Sequence, residues 1–124
     1  MLRHDRALAL SAVEVEQLRD LRSRLGRRAV SDKAVAALRT AYFQLCTRVA
    51  IDAGAAPASL TGSDAVTVAA SADMAGLRGL RSMLERASSP EWTAAIAAGA
   101  PQAILSRRLA LAGREPAKEE VSSL

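Results

Sequence analysis

Only one Trp, one Tyr and one Phe occur in the 124 residues, and this shortage of aromatic side chains constrains the fold more than any other feature. The core has to be assembled from Leu, Val, Ile, Met and above all Ala, within a hydrophobic fraction of 50%. Strands favour aromatic and β-branched residues, whereas alanine, leucine and arginine are good helix formers. Closely packed helices are the expected solution. A chain of this length buries one core and hardly two.

Helix punctuation can be read directly. Ser11-Ala12-Val13-Glu14 has the form of a capping box, in which serine and glutamate each satisfy an end N–H. Val15, Leu18, Leu21 and Leu25 follow as an apolar stripe. Ser31 caps a second helix, with Asp32 at its positive end and Val35, Leu38, Tyr42, Leu45 and Val49 on its inner face. On that helix Tyr42, Phe43 and Cys46 read as packing residues, although Phe43 sits off the main stripe and is open to a partner. AAPASLTGS, residues 55–63, reads as the main loop.

Ser63-Asp64 starts a third helix, although Val66, Thr67 and Val68 also suit a short strand. From Asp73 the residues Leu77, Leu80, Leu84 and Ala87 face one way, with Arg78, Arg81 and Arg86 largely outside. Ser89-Pro90-Glu91 restarts the chain as a capped helix with Trp92 in its first turn. The expectation is one all-α domain over 1–113, a bundle of four to five helices near 12–29, 32–53, 64–88, 90–98 and 101–112. Its last two helices form a helix-turn-helix-like hairpin, and 114–124 is a frayed tail.

Charge points to a polyanion. The chain carries +4 at pH 7 and has 15 Arg against 2 Lys; arginine is the residue that grips phosphates in bidentate fashion. Codon bias in a GC-rich genome would also raise arginine and alanine, but it does not place them. From Arg19 to Arg48 there are eight basic residues against Asp20 and Asp32, and from Val49 to Leu77 there are none against Asp52, Asp64 and Asp73. Such segregation gives one face a positive potential. Arg19, Arg22, Arg24, Arg27 and Arg28 fall within ten residues.

Catalysis has no visible apparatus. His4 is the sole histidine and Cys46 the sole cysteine, too few for a nucleophile–base pair near at hand, for an intramolecular disulfide or for a structural zinc site. Gly76-Leu77-Arg78-Gly79 lacks the strand and lysine of a phosphate-binding loop. No cofactor or metal is expected. Nothing near Met1 reads as a signal peptide, and no apolar run is long enough to span a bilayer, so a cytoplasmic protein without membrane contact is expected.

Pro90 to Leu109, PEWTAAIAAGAPQAILSRRL, carries the most specific pattern. Ala95 and Ala98 would let two helices approach, Gly99 would close the turn in a left-handed conformation where a side chain would clash, and Pro101 would open the second helix. The run AAGAPQAILSRRL resembles the helix-turn-helix of the lambda-repressor-like family, and the likeness extends back to Leu80, about a quarter of the chain. It departs from the family at Ala94 and Ala100, smaller than usual, and at Arg108, in a slot that is often apolar. The resemblance implies that Ala95 is the small residue of the supporting helix, Gly99 the turn glycine and Leu105 a buried residue of the recognition helix. Gln102, Ala103, Ser106 and Arg107 would face the groove, with Gln102 and Arg107 approaching base edges or phosphates and Arg108, Arg78 and Arg81 anchoring the backbone. An ordinary helical hairpin broken at Gly99 and Pro101 gives much of the same pattern.

The expected function is therefore a non-enzymatic, basic nucleic-acid-binding protein, in its sharper form a helix-turn-helix DNA-binding regulator. The full candidate contact set is Arg19, Arg22, Arg24, Arg27, Arg28, Arg39, Arg78, Arg81, Gln102, Ser106, Arg107 and Arg108. Two alternatives remain open. In size, charge and helical character the chain is similar to the small helical subunits of CRISPR effector complexes, which implies a ribonucleoprotein subunit that contacts the nucleic-acid backbone and associates with copies of itself or other proteins. The other is a protein–protein adaptor.

Overall fold

The computed structural model describes residues 9–26, 31–54 and 62–113. The described residues form α1 (Ala12–Gly26), α2 (Asp32–Arg48), α3 (Gly62–Ala69), α4 (Met74–Glu85), α5 (Ser89–Ala98) and α6 (Ala100–Leu111), with no strand among them. The fold is an all-α bundle. Residues 27–30 and 114–124, where the sequence suggested the end of the first helix and a tail, lie outside the described residues.

Local chemistry starts most of these helices. The Ser11 Oγ accepts from the Glu14 amide at 3.1 Å while Glu14 accepts from the Ser11 amide at 2.9 Å, the reciprocal box expected for α1. Ser31 accepts from the Ala34 amide at 3.1 Å and begins α2. For α5 the cap is Ser88, one residue before the expected start, paired reciprocally with Glu91. The Ser88 amide, donating to Glu91 Oε1 at 2.7 Å, and after it the Ser88 side chain hold the exposed Glu91 carboxyl below its ordinary range.

Two boundaries differ from the sequence reading. The helix expected over 64–88 is two helices, because the Asp73 carboxylate accepts from the Gly76 amide at 2.8 Å and starts α4 afresh. Ala70 and Ser71 make the turn between them. The second helix stops at Arg48, not near residue 53, since Ala50 adopts φ of 70° and leaves the helical path. The segment 64–69 is helical, and the strand alternative is set aside.

Burial follows the predicted stripes. Val15, Leu18, Leu21 and Leu25 of α1, Tyr42 and Leu45 of α2, and Leu77, Leu80 and Leu84 of α4 all enter one core. Helix α6 lies at its centre, in contact with α1, α3, α4 and α5. Pro101, Ile104, Leu105, Arg108 and Leu109 are buried, and no residue from Ala100 to Leu111 is exposed. Tyr42, Phe43 and Trp92 form one aromatic cluster, with ring centroids 5.1 to 5.8 Å apart. Phe43 packs inside this cluster instead of facing outward.

Candidate nucleic-acid interface

A helix leaves its last four carbonyl oxygens without intrahelical partners, at the negative end of its dipole. Many helices resolve this with a glycine turn. Here Gly99, at φ of 90°, does so for α5, but the residues after α2, α3 and α4 include no glycine at that point. After α2 the left-handed Ala50 makes the same turn without glycine, Ile51 N–H donating to the Cys46 carbonyl at 2.7 Å and Ala50 N–H to that of Thr47 at 3.3 Å. Long cationic side chains from other helices take the carbonyls that remain at or just beyond these ends.

The end of α2 shows the arrangement most fully. Arg108 Nε donates to the Val49 carbonyl at 2.7 Å, Arg78 Nε to Ala50 at 3.1 Å and Arg81 Nη1 to Ile51 at 3.1 Å. Three consecutive carbonyls are thus held by three arginines. Gly54, just beyond, donates its amide to Ser82 Oγ at 2.8 Å, and its backbone lies so close to α4 that an added Cβ would sit 2.8 Å from Arg78 Cβ. Helix α2 returns the contact: Arg39 Nη2 donates to Leu84, Glu85 and Ala87 carbonyls at 3.3, 3.1 and 2.7 Å. These two helices therefore run side by side in opposite directions, each closing the end of the other.

The same device recurs elsewhere. Arg107 Nε donates to the Ala72 carbonyl at 2.7 Å, after α3. Gln102 Nε2 donates to Leu25 near the end of α1 and to Ile96 near the end of α5, both at 3.2 Å. Arg22 Nη1 donates to Ser106 Oγ at 3.1 Å and joins α1 to α6.

Several of the candidate contact residues are turned inward. Arg81, expected outside, is 8% exposed, and Arg108, in a slot that is often apolar in the resembled family, is 1% exposed. Burial lowers the Arg108 pKa, with Glu14 opposing and Arg78 reinforcing the shift. Gln102, Ser106 and Arg107, expected to face a groove, are part-buried and turned to neighbouring helices. Ala95 is buried at the hairpin as expected, but Ala98 is exposed and does not mediate the approach. The requirement for glycine at position 99 is the backbone's alone, because an added Cβ would meet nothing within 4 Å.

Arg19 and Arg24 of α1 and Lys33 and Arg48 of α2 are exposed, as is Arg86 after α4. Arg39, Arg78, Arg22 and Arg107 are part-exposed, while Arg27 and Arg28 lie outside the described residues. The segment without basic residues exposes Asp52, Asp64 and Asp73. Between α1 and α2 runs an open groove of about 180 Å³. Gln17, Asp20, Leu21 and Arg24 supply one wall at a helix's i, i+3, i+4, i+7 spacing, and Ala41, Gln44, Leu45 and Arg48 supply the other at the same spacing. Asp20 and Arg24 approach at 3.8 Å, with side chains 70% and 52% exposed, a loose pair of small energetic weight.

What the sequence reading missed is the cationic capping. The signal was present: Arg81 shares a face with Leu77 and Leu84, and Arg108 with Ile104 and Leu105. Among the described residues no three His, Cys, Asp or Glu gather where a metal could sit, and no helix is long and apolar enough to cross a membrane. No protein-family model, curated protein or solved structure matches this chain.

Proposed function

We propose that this all-α protein is a non-enzymatic nucleic-acid-binding protein that acts on the phosphate backbone, in the cytoplasm, beside copies of itself or other protein subunits. One observation carries the reading: Arg39, Arg78 and Arg107 donate to neutral carbonyl oxygens. A carbonyl at a helix end offsets at most about half of a guanidinium's charge through the helix dipole, whereas a carboxylate would cancel it. The part-exposed arginines therefore keep much of their field, which adds to that of Arg19, Arg24, Lys33 and Arg48 and draws a polyanion by counterion release.

The interior position of α6 favours backbone contact over base reading. Its part-exposed stripe, which includes Gln102, Ser106 and Arg107, has these polar side chains engaged by neighbouring helices and turns, which leaves little to read a major groove. Within this reading a coating subunit of a ribonucleoprotein, similar to the small helical subunits of CRISPR effector complexes, is better supported than a sequence-reading regulator. The test is a salt series of binding to RNA and DNA of unrelated sequences. Affinity should fall steeply with salt and vary little with sequence; absence of binding at 50 mM salt, about the level where backbone contacts are strong, would overturn it in favour of a protein–protein adaptor.

A further inference from the structure

We infer that the groove between α1 and α2 seats one strand of nucleic acid by its sugar–phosphate backbone, with Arg24 and Arg48 on phosphates; this rests on the functional reading above and adds the site and the strandedness. The groove has the chemistry of such a strand. Its floor is apolar, Leu21 and Leu45 being buried at 4% and 7% exposure, and suits the carbon face of a sugar ring. Its rims carry the exposed guanidinium groups of Arg24 and Arg48 and the exposed amide of Gln44. Asp20 is the one carboxylate on the lining, and its 3.8 Å approach to Arg24 is loose enough for a phosphate to replace it.

Two further observations limit what binds. The groove holds about 180 Å³, room for a short stretch of one sugar–phosphate backbone but not for a duplex, which would rest on its rims. No aromatic ring lines it, because Tyr42, Phe43 and Trp92 are occupied with one another in the core. Bases find nothing to stack on, and the site is indifferent to their order.

The experiment is fluorescence anisotropy of the full chain with labelled 12-nucleotide oligo-dT and oligo-rU and with a 12-base-pair duplex, each across a salt series. Both single strands should bind more tightly than the duplex, and comparison of the two assigns the sugar. R24A/R48A should weaken strand binding by roughly tens of fold at 50 mM salt and make the log–log salt dependence shallower by about 1.4, or ~0.7 for each lost phosphate contact. D20N should tighten binding a few-fold. K33A/R86A removes two exposed charges outside the groove and should change affinity much less. All these side chains are exposed, and circular dichroism melting checks that the variants fold. If both double variants weaken binding equally, or the duplex binds more tightly, the groove is overturned while the charge reading survives; if the wild-type chain binds none of the three, both fall.

Discussion

Arg108, near the end of the central helix, donates its Nε to the carbonyl of Val49 at 2.7 Å, across 59 residues of sequence. Both residues are 1% exposed. Arg78 and Arg81 take the next two carbonyls, so the end of α2 is fixed by α4 and α6 together. A buried guanidinium is expensive to desolvate, and it is kept here because the carbonyl it meets would otherwise be buried without a donor.

That balance makes Arg108 testable. Arg108→Ala leaves an orphaned carbonyl and a cavity, and should lower stability by about 3–5 kcal/mol. Arg108→Met fills much of the space and removes the desolvated charge, so its loss should be smaller, about 1–2 kcal/mol. Urea unfolding midpoints measure both. A methionine variant as stable as the parent would show that the bond contributes nothing net.

Arg39 performs the reciprocal task. Its guanidinium closes α4 and lies 5.5 Å from the Trp92 ring centroid and 5.9 Å from that of Phe43. Arg39→Ala should reduce stability by about 2–3 kcal/mol, combining charge-assisted hydrogen bonds with desolvated cation–π contact. Arg39→Lys keeps the charge but loses the planar fork, and should recover less than half of that loss. Trp92 is the only tryptophan, so its emission reports the site directly. Full recovery by lysine would mean that charge alone, without fork geometry, closes the helix.

The helices were legible in the sequence because their signals are local. The Ser11–Glu14 box, the Ser31 cap and the Val15 to Leu25 stripe each depend on neighbours within one or two turns. Gly99 was legible for the same reason. The destinations of the arginines were not, since Arg39 meets Ala87 across 48 residues and Arg107 meets Ala72 across 35. An arginine on a helix face looks the same in sequence whether it faces water, a phosphate or the open end of another helix. The rule that charged residues lie outside placed Arg81 on the surface, and a carbonyl row without glycine brought it in. The α1–α2 groove has a legible half: Leu21 and Leu45 were read as core, while the meeting of the Arg24 and Arg48 faces on one groove depends on how two helices pack.

Stability should also decline at alkaline pH. Burial, the largest influence, pushes the Cys46 thiol up to about 12 from 9.0, against the smaller lowering influences of Tyr42 and Arg81. Burial likewise raises the Tyr42 phenol well above 10.0. The folded state therefore favours the protonated forms. Their contribution is complete below pH 9.0, where the unfolded thiol is still protonated, and is lost as pH rises from there toward about 12. Melting temperatures should hold from pH 7 to 8.5 and drop beyond, and Cys46→Ala should show a shallower drop. Parallel curves for the two proteins would remove Cys46 from the account.

Gly99 at φ of 90° and Ala50 at φ of 70° make a contrast, a glycine and an alanine in the same left-handed region. A left-handed conformation costs an L-residue roughly 1–2 kcal/mol, and glycine in place of alanine costs about 0.4–1 kcal/mol through the freer unfolded chain. At both positions the first effect is the larger, so the net should favour glycine by about 0.5–1 kcal/mol. Gly99→Ala should destabilise by that amount, with no steric addition, since the new methyl meets nothing within 4 Å. Ala50→Gly should stabilise by a similar amount while the Arg78 bond to its carbonyl persists. Denaturant midpoints should thus move in opposite directions for the two exchanges. If Ala50→Gly instead destabilises, the Ala50 methyl makes a packing contribution larger than its backbone strain, and the clamp of Arg78, Arg81 and Arg108 depends on that contact as well as on the carbonyls.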